Sequence, residues 1–155
     1  MKKSKYFRLE ELVPPEIFKS EGENAWNHLS SDLIDSIDGL SEFLHEKLNT
    51  EKDHIVITIN NWLWVKVNPL TESGYRIPAT KTGAPKSEHK LGNAVDAKVK
   101  GFNAGDIQKL ILQYQDDPRL LKITRMEANP PTSSWTHIDC EVLGPNVKRI
   151  HVFIP

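Results

Sequence analysis

Ser87-Glu88-His89-Lys90-Leu91-Gly92-Asn93-Ala94-Val95-Asp96-Ala97-Lys98-Val99-Lys100 is the stretch that decides how this chain is read. Its second half alternates as a strand does, with Ala94, Asp96 and Lys98 on one face and Val95, Ala97 and Val99 on the other. Its first half is a loop, where Gly92 allows a sharp turn without a side-chain clash. A second stretch, Trp135-Thr136-His137-Ile138-Asp139-Cys140-Glu141-Val142, alternates too. Thr136, Ile138, Cys140 and Val142 make a face apolar enough for a core. Trp135, His137, Asp139 and Glu141 make one that must meet water, a metal or a substrate. Two neighbouring strands of this kind present Asp96 and His137 to one cleft, with His89 arriving from the preceding loop. An Asp inside a β-branched run points the same way, because an unpaired carboxylate disfavours a strand interior. Two imidazoles and a carboxylate form a three-ligand zinc site, and three protein ligands leave a fourth position open to water, as catalytic sites do.

Outward from these stretches, residues 54–60 are β-branched and apolar and predict a buried strand. Leu33, Ile37, Leu40, Leu44 and Leu48, widened by Ile34 and Phe43, predict an amphipathic helix capped by Ser30 or Ser31, with Asp35, Asp38, Glu42 and Glu46 on its other face. Residues 7–18 predict a short helix starting near Pro14-Pro15. Residues 70–86, rich in Gly, Pro, Ser and Thr, read as a loop lining something. Ile107, Leu110, Ile111 and Tyr114 predict a helix over 106–114 that stops at Asp117-Pro118. Residues 136–142 and 150–154 flank Gly144-Pro145-Asn146 and predict a hairpin. Helices mixed with mostly antiparallel strands make an α+β fold with flanking helices. A single domain is expected over 1–155, with a helical part at 1–53 and the metal-site sheet at 54–155.

Composition narrows the function classes. The 155 residues suffice for one core, and 20 Lys and Arg against 21 Asp and Glu leave no basic field for nucleic acid. Cys140 is the only cysteine, which excludes an intrachain disulfide and a Cys-based zinc knuckle. Met1-Lys2-Lys3-Ser4-Lys5 could open a signal peptide, but Arg8, Glu10 and Glu11 break any apolar region after it. No apolar run approaches the ~20 residues of a membrane span. A monomer, made in the cytoplasm without a signal peptide, is expected. His28, His45, His54 and His151 are expected at the surface or in capping roles.

Ser87-x-His89-x-x-Gly92-x-Ala94-x-Asp96 followed by Trp135-x-His137-x-Asp139 resembles the signature of the zinc D-alanyl-D-alanine carboxypeptidase family. That family includes phage and bacterial endopeptidases that cut peptidoglycan stem peptides, and it shares its fold with the Hedgehog signalling domain. Ser73-Gly74-Tyr75-Arg76-Ile77-Pro78 resembles the family's segment before the first ligand, and the likeness spans residues 60–142. The resemblance implies a Hedgehog/DD-peptidase-like fold, one Zn²⁺ on His89, Asp96 and His137, and Arg76 as a substrate-binding residue, with Ser87 and Trp135 beside it. It implies peptidoglycan stem peptides as substrate, cut by a carboxypeptidase or endopeptidase such as a phage lysin or virion component. Such a protein would act at the cell wall after release or from within a virion. In many relatives the catalytic glutamate lies three residues before the second His, where this chain has Ser134. Glu127, in Arg125-Met126-Glu127 ahead of Pro130-Pro131, is the substitute, and Asp139 competes for the role or serves as a partner holding His137. The displaced glutamate also supports a rival reading, a zinc-binding structural or interaction module of the same fold without catalysis.

Overall fold

The longest helix of the chain, α2 (Ser31–Leu48), follows its apolar stripe: Leu33, Ile34, Ile37, Leu40, Phe43 and Leu44 are all buried. Its cap is Ser30, whose Oγ accepts from the Leu33 amide at 3.1 Å. The computed structural model describes residues 1–48, 55–128, 134–145 and 149–154. Within them α2 is joined by α1 (Pro15–Glu21), which has Pro15 at its first position, and α3 (Ala104–Gln113). Asn103 caps α3 by accepting from the Asp106 amide at 2.8 Å, so this helix begins two residues before its expected start. Asp38, expected on a solvated face of α2, is buried. The N-terminal segment lies across it: Ser4 Oγ and the Lys5 amide both donate to its carboxylate, the latter at 3.0 Å.

Five strands form one sheet: β1 (Ile57–Thr58), β2 (Ala94–Val99), β3 (Arg125–Glu127), β4 (Thr136–Asp139) and β5 (His151–Phe153), in the order β1-β2-β4-β3-β5. All pairings are antiparallel except β3 with β5. The chain is thus a small single-domain α+β protein with a mostly antiparallel sheet. Its core is continuous between the two halves of the sequence, joining Leu33, Ile37 and Phe43 to Val95, Ile111, Met126 and Ile138. Each fully buried side chain of this size contributes about 1.5–3 kcal/mol.

Three sequence expectations are corrected. The run at 55–60 gives only two residues of ladder at the sheet edge, because Asn60 leaves it to bond elsewhere: its amide donates to Glu11 O at 3.0 Å and its Oδ1 accepts from Ser73 N at 2.9 Å. His54 lies outside the described residues. The hairpin between residues 136–142 and 150–154 does not form, since both edges of β4 are already bonded, to β2 and to β3. The chain therefore passes on and adds β5 parallel to the free edge of β3. Val142, expected in the core, lies beyond the end of β4 and is 93% exposed. Asn146, at the expected turn, lies outside the described residues.

Candidate metal centre

His89 sits in a 3₁₀ turn, Glu88–Leu91, closed by Gly92 in the left-handed conformation (φ 70°). A β-carbon at Gly92 would come within 1.7 Å of the His28 carbonyl oxygen, so the turn needs glycine for space as well as for φ. Asp96 and His137 are direct partners in the β2–β4 register and therefore share a face of the sheet. Their partner atoms converge: His137 Nδ1 lies 2.9 Å from Asp96 Oδ1, and His89 Nε2 lies 3.3 Å from His137 Nδ1 and 3.4 Å from Asp96 Oδ1.

These separations test whether a metal fits. Tetrahedral zinc with bonds of about 2.0–2.1 Å has donor–donor edges of roughly 3.3–3.4 Å. Two of the three observed edges match and the third is slightly short. The buried or partly buried cluster of His89, Asp96 and His137 has the donor chemistry and spacing to hold a metal ion. The far side of each ring is also fixed. His89 Nδ1 donates to the Gly74 carbonyl at 2.8 Å; a carbonyl only accepts, so Nδ1 carries a proton and Nε2 is the ring atom turned to the cluster. His137 Nε2 faces Asp139 Oδ2 at 3.2 Å.

The Ser73-Gly74-Tyr75-Arg76 segment brackets two of the three donors. Ser73 O accepts from the Asp96 amide at 2.7 Å, the Arg76 amide donates to His89 O at 3.0 Å, and Arg76 Nη2 donates to Asp96 Oδ2 at 2.8 Å. Sequence reasoning gave Arg76 a substrate role alone; its pairing with Asp96 was not foreseen. Burial works to raise the Asp96 pKa, but hydrogen bonds from His137 and His89 outweigh it and hold the carboxyl well below its usual range. Burial likewise works against the His137 cation, yet Asp139 and Asp96 prevail and lift its pKa to about 9. A metal ion bound here would therefore have to displace the proton that His137 shares with these two carboxylates.

A cleft of about 430 Å³ opens over the cluster, lined among others by Arg76, Gly83, Ser87, Arg125, Glu127, Trp135 and Phe153. The loop at 70–86 does line it, through Arg76, Gly83, Ala84 and Lys86. Glu127 was expected to reach in from the segment ahead of Pro130-Pro131. It is the last residue of β3 in that segment and lines the cleft; residues 129–133 lie outside the described residues. The β3–β4 register pairs Arg125 with Asp139 and Met126 with Ile138, so its next step sets Glu127 beside His137. Glu127 in turn pairs with Phe153 on β5. Asp96, His137, Glu127 and Phe153 thus form one row across four strands. Gln108 of α3 anchors the row by donating to Glu127 O at 2.7 Å.

Asp139 is fully buried and lies on the side of the His137 ring away from the other two donors, bracketed by Arg125. Trp135 is 43% exposed on the cleft wall, while Ser134 is exposed and absent from the cleft lining. Sequence reasoning missed Arg125 and Phe153; alternation within Arg125-Met126-Glu127 was the available signal for the first. His28 pairs with Glu21 at 2.8 Å, His45 bonds Ser41 O at 2.7 Å, and His151 is exposed, so these three stand outside the cluster. No helix among the described residues is long and apolar enough to cross a membrane. No protein-family model, curated protein or solved structure matches this chain.

Proposed function

We propose that this chain is a zinc-dependent peptidase acting on D-amino-acid-containing peptidoglycan stem peptides, with a Hedgehog/DD-peptidase-like fold. The observation that carries the proposal is the set of three donors, 2.9–3.4 Å apart, beneath a cleft that also holds Glu127. Zinc bound there supplies Lewis acidity towards a peptide carbonyl and makes water a competent nucleophile near neutral pH. Glu127 has no side-chain hydrogen-bond or ion-pair partner among the described residues, so its carboxylate is free to accept a proton from attacking water and return it to the leaving nitrogen. Asp139 is occupied by His137 and Arg125, which suits it to holding the ring rather than exchanging protons with substrate. Arg76 keeps Nη1 beside Gly83, on the cleft wall, for a substrate carboxylate, and Ser87 and Trp135 border the same space.

The test combines metal analysis with a digest of purified peptidoglycan and mass spectrometry of the fragments. Stoichiometric zinc with released D-alanine means a carboxypeptidase; zinc with cuts inside the stem means an endopeptidase. The presence of Ser134 where many members of the family this chain resembles have glutamate favours one second reading, a zinc-binding module without catalysis. Zinc-loaded protein that leaves peptidoglycan intact would establish it.

A further inference from the structure

We propose that Arg125 is a positioning residue that sets the orientation of the His137 ring through Asp139, and with it the affinity of the metal centre. The inference rests on the proposed metal site and adds to it a structural arm behind one donor.

Arg125 and Asp139 are register partners on β3 and β4, so their side chains leave the sheet on the same face. Arg125 Nε donates to both Asp139 oxygens at 3.0 Å, and its Nη2 donates to Oδ2 at 2.9 Å. The Glu141 amide adds a bond to Oδ1 at 3.1 Å. Oδ2 is the same oxygen that His137 Nε2 faces at 3.2 Å. The guanidinium is itself held, lying over the Phe153 ring at 4.7 Å and pairing through Nη1 with Glu141. Asp139, with a side chain 0% exposed, therefore has its rotamer fixed from three sides.

Without that clamp a buried carboxylate has freedom to rotate. The His137 ring then loses the acceptor that keeps Nε2 turned away from the cluster and Nδ1 turned towards it. A lysine offers one compact charge without the planar fork of Nε and Nη2, so it is not an equivalent replacement. Arg125 also lines the cleft. A role as substrate clamp is therefore the alternative, and it would leave the metal affinity alone.

The experiment is a zinc competition titration against a chelator for wild type, Arg125→Gln, Arg125→Lys, Asp139→Asn and the double variant Arg125→Gln/Asp139→Asn. Imidazole ¹⁵N NMR of the metal-free proteins runs beside it. Arg125→Gln should weaken zinc by ~10–100-fold, and Arg125→Lys should recover part of the loss. The double variant should bind as Asp139→Asn alone does, because the arm acts through Asp139. The His137 imidazole signals should shift in metal-free Arg125→Gln. If Arg125→Gln does not fold, Arg125→Lys, which keeps a charge against Asp139, carries the same comparisons. Unchanged zinc affinity, additive losses in the double variant, or unshifted His137 signals overturn the proposal. Wild type that takes up no zinc overturns the metal reading instead, and the NMR comparison still decides whether Arg125 orients His137.

Discussion

Glu127 and Asp139 are both carboxylates near His137, and their surroundings separate their roles. Asp139 has every neighbour spoken for: Arg125, the Glu141 amide and His137 Nε2. Glu127 stands in the row with His137 and Phe153 and faces the cleft without a side-chain partner among the described residues. Glu127→Gln is expected to keep zinc and fold while lowering hydrolysis by ~10²–10⁴-fold, since an amide cannot accept the proton. Turnover and zinc content measured on one preparation check this; an active Glu127→Gln with a dead, zinc-loaded Asp139→Asn would reverse the roles. Arg76 would touch both proposed functions, because it bonds Asp96 Oδ2 and also lines the cleft. Arg76→Ala is therefore expected to weaken zinc binding as well as raise KM. An unchanged zinc affinity would return Arg76 to a substrate role alone.

At the scale of elements, a close backbone approach packs α2 against the segment around Arg119. Gly39 of α2 faces the Arg119 carbonyl so closely that a β-carbon would come within 2.0 Å of its oxygen. Gly39→Ala is expected to destabilise the fold by ~1–3 kcal/mol, as overpacking does, and urea unfolding measures it. Arg119 also binds Asp117, whose pKa falls to about 2 through hydrogen bonds from Arg119. A depressed carboxylate pKa means stability present above the ordinary value and lost as pH falls through the folded one. The advantage of wild type over Asp117→Asn should thus persist down to about 3.8 and vanish as pH approaches about 2, followed by thermal melts. The same scale explains what the sequence made legible. Alternation in residues 94–99 and 136–139 named the faces of Asp96 and His137, while His89, in the turn before β2, was added from the preceding loop and the motif spacing of the resemblance. The pairing of β2 with β4 was expected and is found, but the partners of β3 and β5 did not follow, because alternation says which way a side chain points and not which strand lies beside it. The addition of β5 to β3 depends on β4 having both edges filled, and the length of β1 on the buried bonds of Asn60 to the N-terminal segment. Asp38 looked solvent-facing for a similar reason: its cover comes from residues 33 and 34 positions away in the chain.

For the whole molecule, the three donors come from a 3₁₀ turn, β2 and β4, so a metal would tie together segments up to 48 residues apart. A ligand that binds only the folded state stabilises it by RT ln(1 + [L]/Kd), about 2.7 kcal/mol at a hundredfold excess over Kd. For a domain of this size each kcal/mol moves Tm by ~2–4 °C, so zinc at that excess should raise Tm by roughly 5–11 °C. The cluster lies at the cleft floor, while the main core, with Phe43, Ile111 and Ile138, is built without it. His89→Ala and His137→Ala should therefore still fold but lose most of the zinc-dependent rise. Calorimetric scans with and without zinc decide between two ways the metal reading can fail. An equal rise in wild type and both variants would mean that zinc binds elsewhere. No rise in any of them, with stable folding throughout, would leave His89, Asp96 and His137 as a buried hydrogen-bonded cluster and remove the basis for a metallopeptidase.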